Sequence, residues 1–417
     1  MRRVPIAERP GWREAAAARG FHYAHADGVP YWDETACFAL TLDQVERDLE
    51  VPTDELHAMA LDLAGRAVAD EALMARLRVP RAFWDYVAAS WHDRDPSIIG
   101  RFDLAYDGTG PARLLEYNAD TPTSLYEAGV FQWEWLEEGV ASTLLPQGTD
   151  QFNAIHDRLI AAYARLAGDP SLMHFACEMA SVEDFGNIAY LMDCASQAGL
   201  RPKFIDIALV GLDAKNRFAD QDNLVIDRLT KLAPWEWMFR SDYADVIHAS
   251  GTRFFEPAWK AILSSKAILP VLWQLHEGHP NLLPAYFEDD PRAASLGDRV
   301  RKPIFSREGA NTTLVLGGKP VQETGGTYGE EGFVVQAAAP LFASAAGYAV
   351  VGSWVIGAEA AGIGIREDSG PVTRNLSRFV PHVISGEAWT PEGTVRTGEG
   401  RPGPAVAAAA AGSGSVT

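Results

Sequence analysis

Apolar and polar positions along the chain change rhythm several times, and each change marks an element. Over residues 42–74 apolar side chains recur at helical spacing, with Pro52 breaking the pattern beside a cap at Thr53 or Asp54, and residues 1–95 read as mostly helical. At Gly100 the period shortens to two, and RFDLAYDGTGPARLLEYNAD predicts a β-hairpin turning at DGTG. Helical spacing returns over residues 125–145 and again over 152–166. Residues 172–210 then read as one β-α-β unit. LMHFAC is its first strand, residues 181–198 form a helix opened by a Ser181 cap, and RPKFIDIALV follows the Gly199 stop. This unit has no Gly-rich fingerprint and is not read as a nucleotide site. Residues 253–285 read as helix interrupted at Pro270. Over residues 299–381 the segments KPIF, NTTLVL, GFVVQA, YAVVGSWVIG and AGIGIRE alternate with Gly-rich turns, which predicts an antiparallel sheet whose loops can approach a ligand. From Trp389 onward the chain is rich in Pro, Gly and Ala and is expected to be disordered.

Composition narrows the function classes. The 417 residues, 47% apolar and 22% charged, suit a large globular unit or two to three closely packed lobes. A formal net charge of −20 disfavours nucleic acid, whose phosphates need clustered Lys and Arg; it would favour a cationic substrate through steering, or serve solubility alone. Three dispersed cysteines, Cys37, Cys177 and Cys194, give neither a disulfide framework nor a zinc pattern. No apolar run is long enough to span a bilayer and the charged N-terminus lacks an apolar signal segment, so a cytoplasmic protein without a membrane partner is expected.

Candidate chemistry centres on the hairpin. Strand alternation puts Arg101 and Asp103 on one face, Glu116 and Asn118 on one face of the returning strand, and the turn can bring all four together. Asp, Glu and Asn offer oxygen donors, the set a hard cation such as Mg2+ prefers, and Arg101 could hold a phosphoryl oxygen; taken alone, the four could equally form a solvated hairpin face. Lys302 opens a strand that runs into a polar loop through Arg307, Gly309 and Asn311, an arrangement able to clamp nucleotide phosphates. GFVVQA, ending near Gln336, could present backbone groups to an adenine or be a plain core strand. Arg366, after GIGI, could stabilise a transferred phosphoryl group or pair with Glu367 or Asp368. Lys266, on a helical pattern, has no functional mark of its own. His279 reads as turn chemistry and His382 as a satisfied loop residue, and nothing pairs Cys37 with a base.

Taken together, RFDLAYDGTGPARLLEYNAD, QWEWLEE, KLAPWEWM, EPAWKAILSSKAILPVLW, GHPNLLPAYFE, RKPIFSREGAN, VVGSWVIGAEAAGIGIRED and SRFVPH resemble the glutathionylspermidine synthase family, in its synthetase domain. They occur in the family's order over roughly residues 10–385. The resemblance implies an α/β (α+β) ATP-grasp-like fold. It divides the chain into a helical N-terminal part (1–95), a hairpin with a pre-ATP-grasp-like β-α-β layer (96–235), a nucleotide-binding region (236–388) and the tail (389–417). It implies ATP and Mg2+ as cofactors, with Asp103, Glu116 and Asn118 as metal ligands. Lys266, Lys302, Gly309 and Gln336 would bind ATP, Arg101 and Arg366 would be catalytic, and Arg307, Thr121 and Thr123 would bind substrate. The implied reaction joins a peptide carboxylate such as glutathione to a cationic amine such as spermidine through an acyl phosphate.

Two departures from the family pattern bear on specificity. The residues before the hairpin contain one cysteine and no amidase-like Cys/His pattern, so hydrolysis of the product is not expected. The run from Ala119 to Leu125 lacks the Ser-rich, Cys-containing stretch that touches glutathione, which leaves the acid open. A ligase for another acid or amine, a kinase-like phosphotransferase and a non-catalytic nucleotide-binding protein are the alternatives. The intact Lys, Arg and acidic positions argue against the last. Residues 317–332 are the candidate lid.

Overall fold

The computed structural model describes residues 1–386 apart from 27, 167 and 169–171, so the tail from residue 389 lies outside the described residues. Three larger sheets organise the chain. A four-stranded parallel sheet runs in the order Arg253–Phe255, Arg228–Lys231, Leu172–Cys177, Arg201–Asp206. Its helix Val182–Gln197 is capped by the Ser181 hydroxyl, which accepts the Asp184 N–H, so the β-α-β reading holds. A five-stranded antiparallel sheet has the order Ala285–Phe287, Phe333–Ala337, Arg299–Pro303, Thr313–Leu316, Lys319–Glu323. A six-stranded antiparallel sheet is built on the path Arg378–Val380, Glu359–Asp368, Gly347–Ile356, Ile99–Ala105, Arg113–Asn118, with Phe342–Ser344 beside Gly347–Ile356.

The last two sheets correct the expectation of one antiparallel sheet over residues 299–381. Gly347–Ile356 is almost wholly buried and pairs with the hairpin strand Ile99–Ala105 instead of continuing the earlier sheet. The N-terminal part is likewise less helical than expected. Arg2–Pro5, Ala36–Leu40 and His382–Ile384 form a three-stranded sheet. Ala36–Leu40 is buried along its whole length, so it carries no alternation to read.

The first long helix begins at Leu42, where its pattern begins, but is not broken at Pro52. Thr41 and Gln44 close a reciprocal capping box, a π turn occupies Glu46–Glu50, and Val51–Ala67 continues with Pro52 in its first turn. Pro52 thus lies inside a run that is helical from Leu42 to Ala67, directly after the π turn. Thr53 and Asp54 are not caps. The Thr53 hydroxyl lies 2.7 Å from Ser353 Oγ, and Asp54 accepts the Ala360 N–H at 2.7 Å, which fastens the helix to the central sheet. Residues 253–285 open with a strand, then give two short helices, Lys260–Leu263 and Ile268–Leu275. The break falls at residues 264–267, not at Pro270, which sits harmlessly in the first turn of the second helix. Among the described residues no helix is long and apolar enough to cross a membrane.

His382 is fully buried. Its Nε2 accepts the Phe152 N–H at 3.2 Å and its Nδ1 lies 3.0 Å from Gln132 Oε1, so the ring is held neutral. Burial pulls its pKa from 6.5 to about 3. Between those values the unfolded chain binds a proton that the folded chain refuses. Stability is therefore fully present above pH 6.5 and falls by about 1.4 kcal/mol per pH unit below it. His57, pulled down to about 4 by burial and by Lys260, acts in the same sense. In urea melts between pH 7 and 4, His382→Gln is expected to lose about one proton's worth of this slope; slopes identical to wild type would refute the assignment.

Candidate active site

The hairpin strands pair antiparallel with Arg101 opposite Asn118 and Asp103 opposite Glu116, followed by a bulge after Asp103. Facing residues on such a pair project from the same side, so all four side chains share one face. Arg101 grips Asp103 through Nε and Nη2 at 2.6 and 3.1 Å, and its Nη1 donates to the Thr123 carbonyl at 2.6 Å. Asn118 Nδ2 donates to Asp103 Oδ2 at 3.2 Å and Glu116 Oε1 at 3.4 Å. Lys266 Nζ stands 3.1 Å from Glu116 Oε2 and donates to the Ser306 carbonyl at 2.9 Å. Lys302 Nζ donates to the Leu115 carbonyl at 2.9 Å and to Gln336 Oε1 at 2.8 Å, while Gln336 Nε2 donates to the Leu114 carbonyl at 2.9 Å.

The charges inside this cluster adjust one another. Burial raises the Asp103 carboxyl, with Arg101 opposing. Burial also works to raise Glu116, but Lys266 and Lys302 outweigh it and hold that carboxyl at about 2. Burial lowers Lys302 to about 8, with Lys266 adding to the fall and Glu116 resisting it.

Arg366 comes from Glu359–Asp368, next to the strand that pairs with the hairpin. It does not pair with its neighbours Glu367 and Asp368. Glu367 is bound by Arg3 and Arg378, and Asp368 by Arg374. Arg366 Nη2 donates instead to the carbonyls of Arg374 and Asn375, and its Nε is buried without a partner. Arg366, Arg101, Asp103 and Ser124 line one small cavity. Gly352, opposite Asp103, makes room there, because a Cβ at that position would lie 2.8 Å from Arg101 Cδ.

The substrate-side residues meet at a second loop. Arg307 Nη2 donates to Thr121 Oγ1, and its guanidinium stacks 5.0 Å over Trp237. Thr123 contributes its carbonyl to Arg101. Glu308, Gly309 and Asn311 have φ of 54°, 67° and 52°, and a Cβ at Gly309 would lie 2.8 Å from the Thr373 carbonyl oxygen. Left-handed turns of this kind curl backbone N–H groups towards an anion, although those of Ala310 and Asn311 already reach Arg307 and Gly325. Phe333–Ala337 is interior to its sheet, and the Ala337 and Ala338 N–H groups donate to Pro284 and Asp298. Gln336 therefore touches Lys302 rather than presenting an open edge.

The oxygens of Asp103, Glu116 and Asn118 are of the kind a hard divalent cation takes. As placed, Arg101 holds both Asp103 oxygens and the Asn118 amide N–H group faces Asp103 and Glu116, and among the described residues no group of three or more His, Cys, Asp and Glu could hold a metal. Two carboxylates with an amide leave positions for phosphate oxygens and water, as Mg2+ favours. The cysteines take no part: all are buried, and burial pushes each thiol up to about 12.

In the sequence Lys266 has no functional mark, because its helical spacing is that of a surface position. It actually sits in the break between two helices, where its backbone N–H donates to the Ile304 carbonyl and its side chain swings to Glu116. Lys260 also carried no mark. It is buried and donates to the carbonyls of Ile99 and Ala119 at 3.1 and 3.0 Å, closing the base of the hairpin beside Glu256.

The family profile described as "Glutathionylspermidine synthase preATP-grasp" matches residues 3–385. The chain belongs to the glutathionylspermidine synthase family. As a member of it, the chain is an ATP-dependent C–N ligase with an α/β ATP-grasp-type synthetase fold. It is 37% identical over 398 residues to a Haemophilus influenzae protein carrying the provisional name acid–amine ligase, covering 92% of this chain and 99% of that one. Identity is 29% to the trypanothione synthetase of Crithidia fasciculata, over 78% of this chain and 53% of that protein. It is 25% to the bifunctional glutathionylspermidine synthetase/amidase of Escherichia coli, over 87% and 61%. The chain thus spans between half and two thirds of the length of these last two synthetases. A glutathione synthetase-like effector of Globodera pallida, solved in apo form, aligns with 92% of this chain and all of its own at TM-score 0.54 and 10% identity, a likeness of fold.

Proposed function

We propose that this ligase condenses a peptide carboxylate with a cationic amine through an acyl phosphate formed with ATP. One observation carries the reading. Two carboxylates and an amide on a single sheet face are ringed by Arg101, Lys266, Lys302 and Arg366, cations drawn from four separate segments. Four cations against two carboxylates leave a positive excess, which suits a nucleotide's phosphates.

In this reading Lys266 and Lys302 hold the nucleotide phosphates, beside Gln336 and the Gly309 turn. Asp103, Glu116 and Asn118 would hold Mg2+, which supplies charge neutralisation for phosphoryl transfer when bound. Arg101 and the unpartnered Nε of Arg366 face the transferred group. Arg307, with Thr121 and Thr123, would bind and orient the acid. The names of the related synthetases make glutathione and spermidine the first substrates to try, and the acidic surface favours a cationic amine.

ADP release over a matrix of peptide acids and amines, with mass spectrometry of the products, tests the reaction. The expected result is ADP formation that depends on both partners and yields an amide. ADP formation indifferent to every amine, with a phosphorylated acid as final product, would mean a phosphotransferase instead.

A further inference from the structure

Attack on an acyl phosphate requires a neutral amine, so an ammonium substrate must first give up a proton. We propose that Ser124, Tyr31 and Glu127 form a proton relay leading from the active-site cavity to a buried acceptor; this rests on the ligase reading above. Ser124 lines the cavity together with Arg101, Asp103 and Arg366. Behind it, Tyr31 OH lies 2.9 Å from Ser124 Oγ and donates to Glu127 Oε1 at 2.6 Å. Tyr23 OH donates to the other oxygen of Glu127 at 3.2 Å. Hydroxyl, phenol and carboxylate thus form one unbroken line of short hydrogen bonds.

Two features set this line apart from ordinary core polarity. Glu127 is fully buried, yet its side-chain hydrogen bonds come from two phenols, and among the described residues no Lys or Arg forms an ion pair with it. A buried carboxylate is normally matched by a cation. Ser124 itself is held at φ 68°, a conformation rare outside glycine, and the next residue is fixed by the Leu125 N–H donating to Asn187 Oδ1 at 2.9 Å.

The groups facing Glu127 are Tyr31, Tyr23 and, from the helix Val182–Gln197, Glu183; Arg366 acts on Tyr31 from the cavity side. Burial, then Glu183, raises the carboxyl to about 7, against the pull of the tyrosine bonds. Glu127 can therefore gain and lose a proton near neutrality.

The balance is simple. The ammonium gives one proton to Ser124 Oγ as the Ser124 proton moves to Tyr31 and the Tyr31 proton to Glu127, which becomes a carboxylic acid. The neutral amine nitrogen then bonds to the acyl carbon, the carbon–oxygen bond to phosphate breaks, and phosphate leaves with that electron pair and the second proton. After the product departs, Glu127 passes its proton back to Tyr31, Tyr31 to Ser124 and Ser124 to water entering the cavity, which restores the starting state.

Hydroxylamine separates this role from a structural one, because it is neutral at pH 7 and needs no relay to trap an acyl phosphate as a hydroxamate. The assay uses glutathione and spermidine first, then the other acids and amines of the ADP screen. Glu127→Gln and Tyr31→Phe should keep hydroxamate formation within about threefold of wild type while amide formation at pH 7 falls on the order of 100-fold. The amide deficit should shrink by about tenfold per pH unit as the amine deprotonates by itself. Hydroxamate and amide falling together in both variants, or amide formation persisting in both, would overturn the relay. Wild-type protein that gives a hydroxamate with none of the acids would instead overturn the ligase reading on which the relay depends.

Discussion

Replacing Arg366 by Ala is expected to slow acid-dependent ADP formation by about 1,000-fold while leaving the protein folded. The size follows from charge stabilisation, since an arginine facing a transferred phosphoryl group contributes about 10³–10⁵ in rate. The cation is poised for this use. Its neighbours Glu367 and Asp368 are committed to other arginines, its Nε is buried and unpartnered, and it shares a cavity with Arg101 and Asp103. Its hydrogen bonds run to the Arg374 and Asn375 carbonyls at the protein surface, so their loss should cost roughly 1 kcal/mol or less. A coupled ADP assay and a thermal melt on the same preparation decide the matter. Turnover within threefold of wild type would remove Arg366 from the chemistry.

Lys260→Met should have the opposite signature, with stability falling by about 3–5 kcal/mol, the usual consequence of breaking a buried ion pair from one side. Lys260 and Glu256 are both almost fully buried, with Nζ 3.4 Å from Oε2. The lysine ties Ile99 on one hairpin strand to Ala119 just past the other, and the glutamate accepts the Ile98 and Ile99 N–H groups at 3.0 and 2.9 Å. Removing the lysine leaves a buried carboxylate without its cation and two carbonyls without a donor. The double variant Lys260→Met, Glu256→Gln should recover part of the loss, because no uncompensated charge then remains. Urea unfolding measures both; a loss below 1 kcal/mol in the single variant would show that the pair is not what closes the hairpin.

How far the sequence reveals these features depends on how local they are. The hairpin was legible because strand alternation and the DGTG turn together fix its register, and the register brings Arg101, Asp103, Glu116 and Asn118 to one face. The β-α-β unit was legible for a similar reason, with its Ser181 cap and Gly199 stop written into adjacent residues. Lys266 needed the whole fold, since a break between two short helices lets it reach Glu116, 150 positions away in the chain. Lys260 meets carbonyls more than 140 positions away, and Tyr31 meets Glu127 across 96. Periodicity carries no trace of such meetings; the family's motifs pointed to Lys266 but not to the other two. The Ala36–Leu40 strand stayed hidden because a strand buried on both faces has no polar side to alternate with.

The central sheet has a consequence for how the protein is made. Ile99–Ala105 lies between Arg113–Asn118, which follows it at once, and Gly347–Ile356, which is synthesised about 250 residues later. At about 5–20 residues per second the ribosome leaves that strand's second edge without its partner for roughly 12–50 seconds. An uncovered apolar edge is an invitation to neighbouring nascent chains, so yield in the cell should depend more on chaperones and expression temperature than the finished protein's stability would suggest.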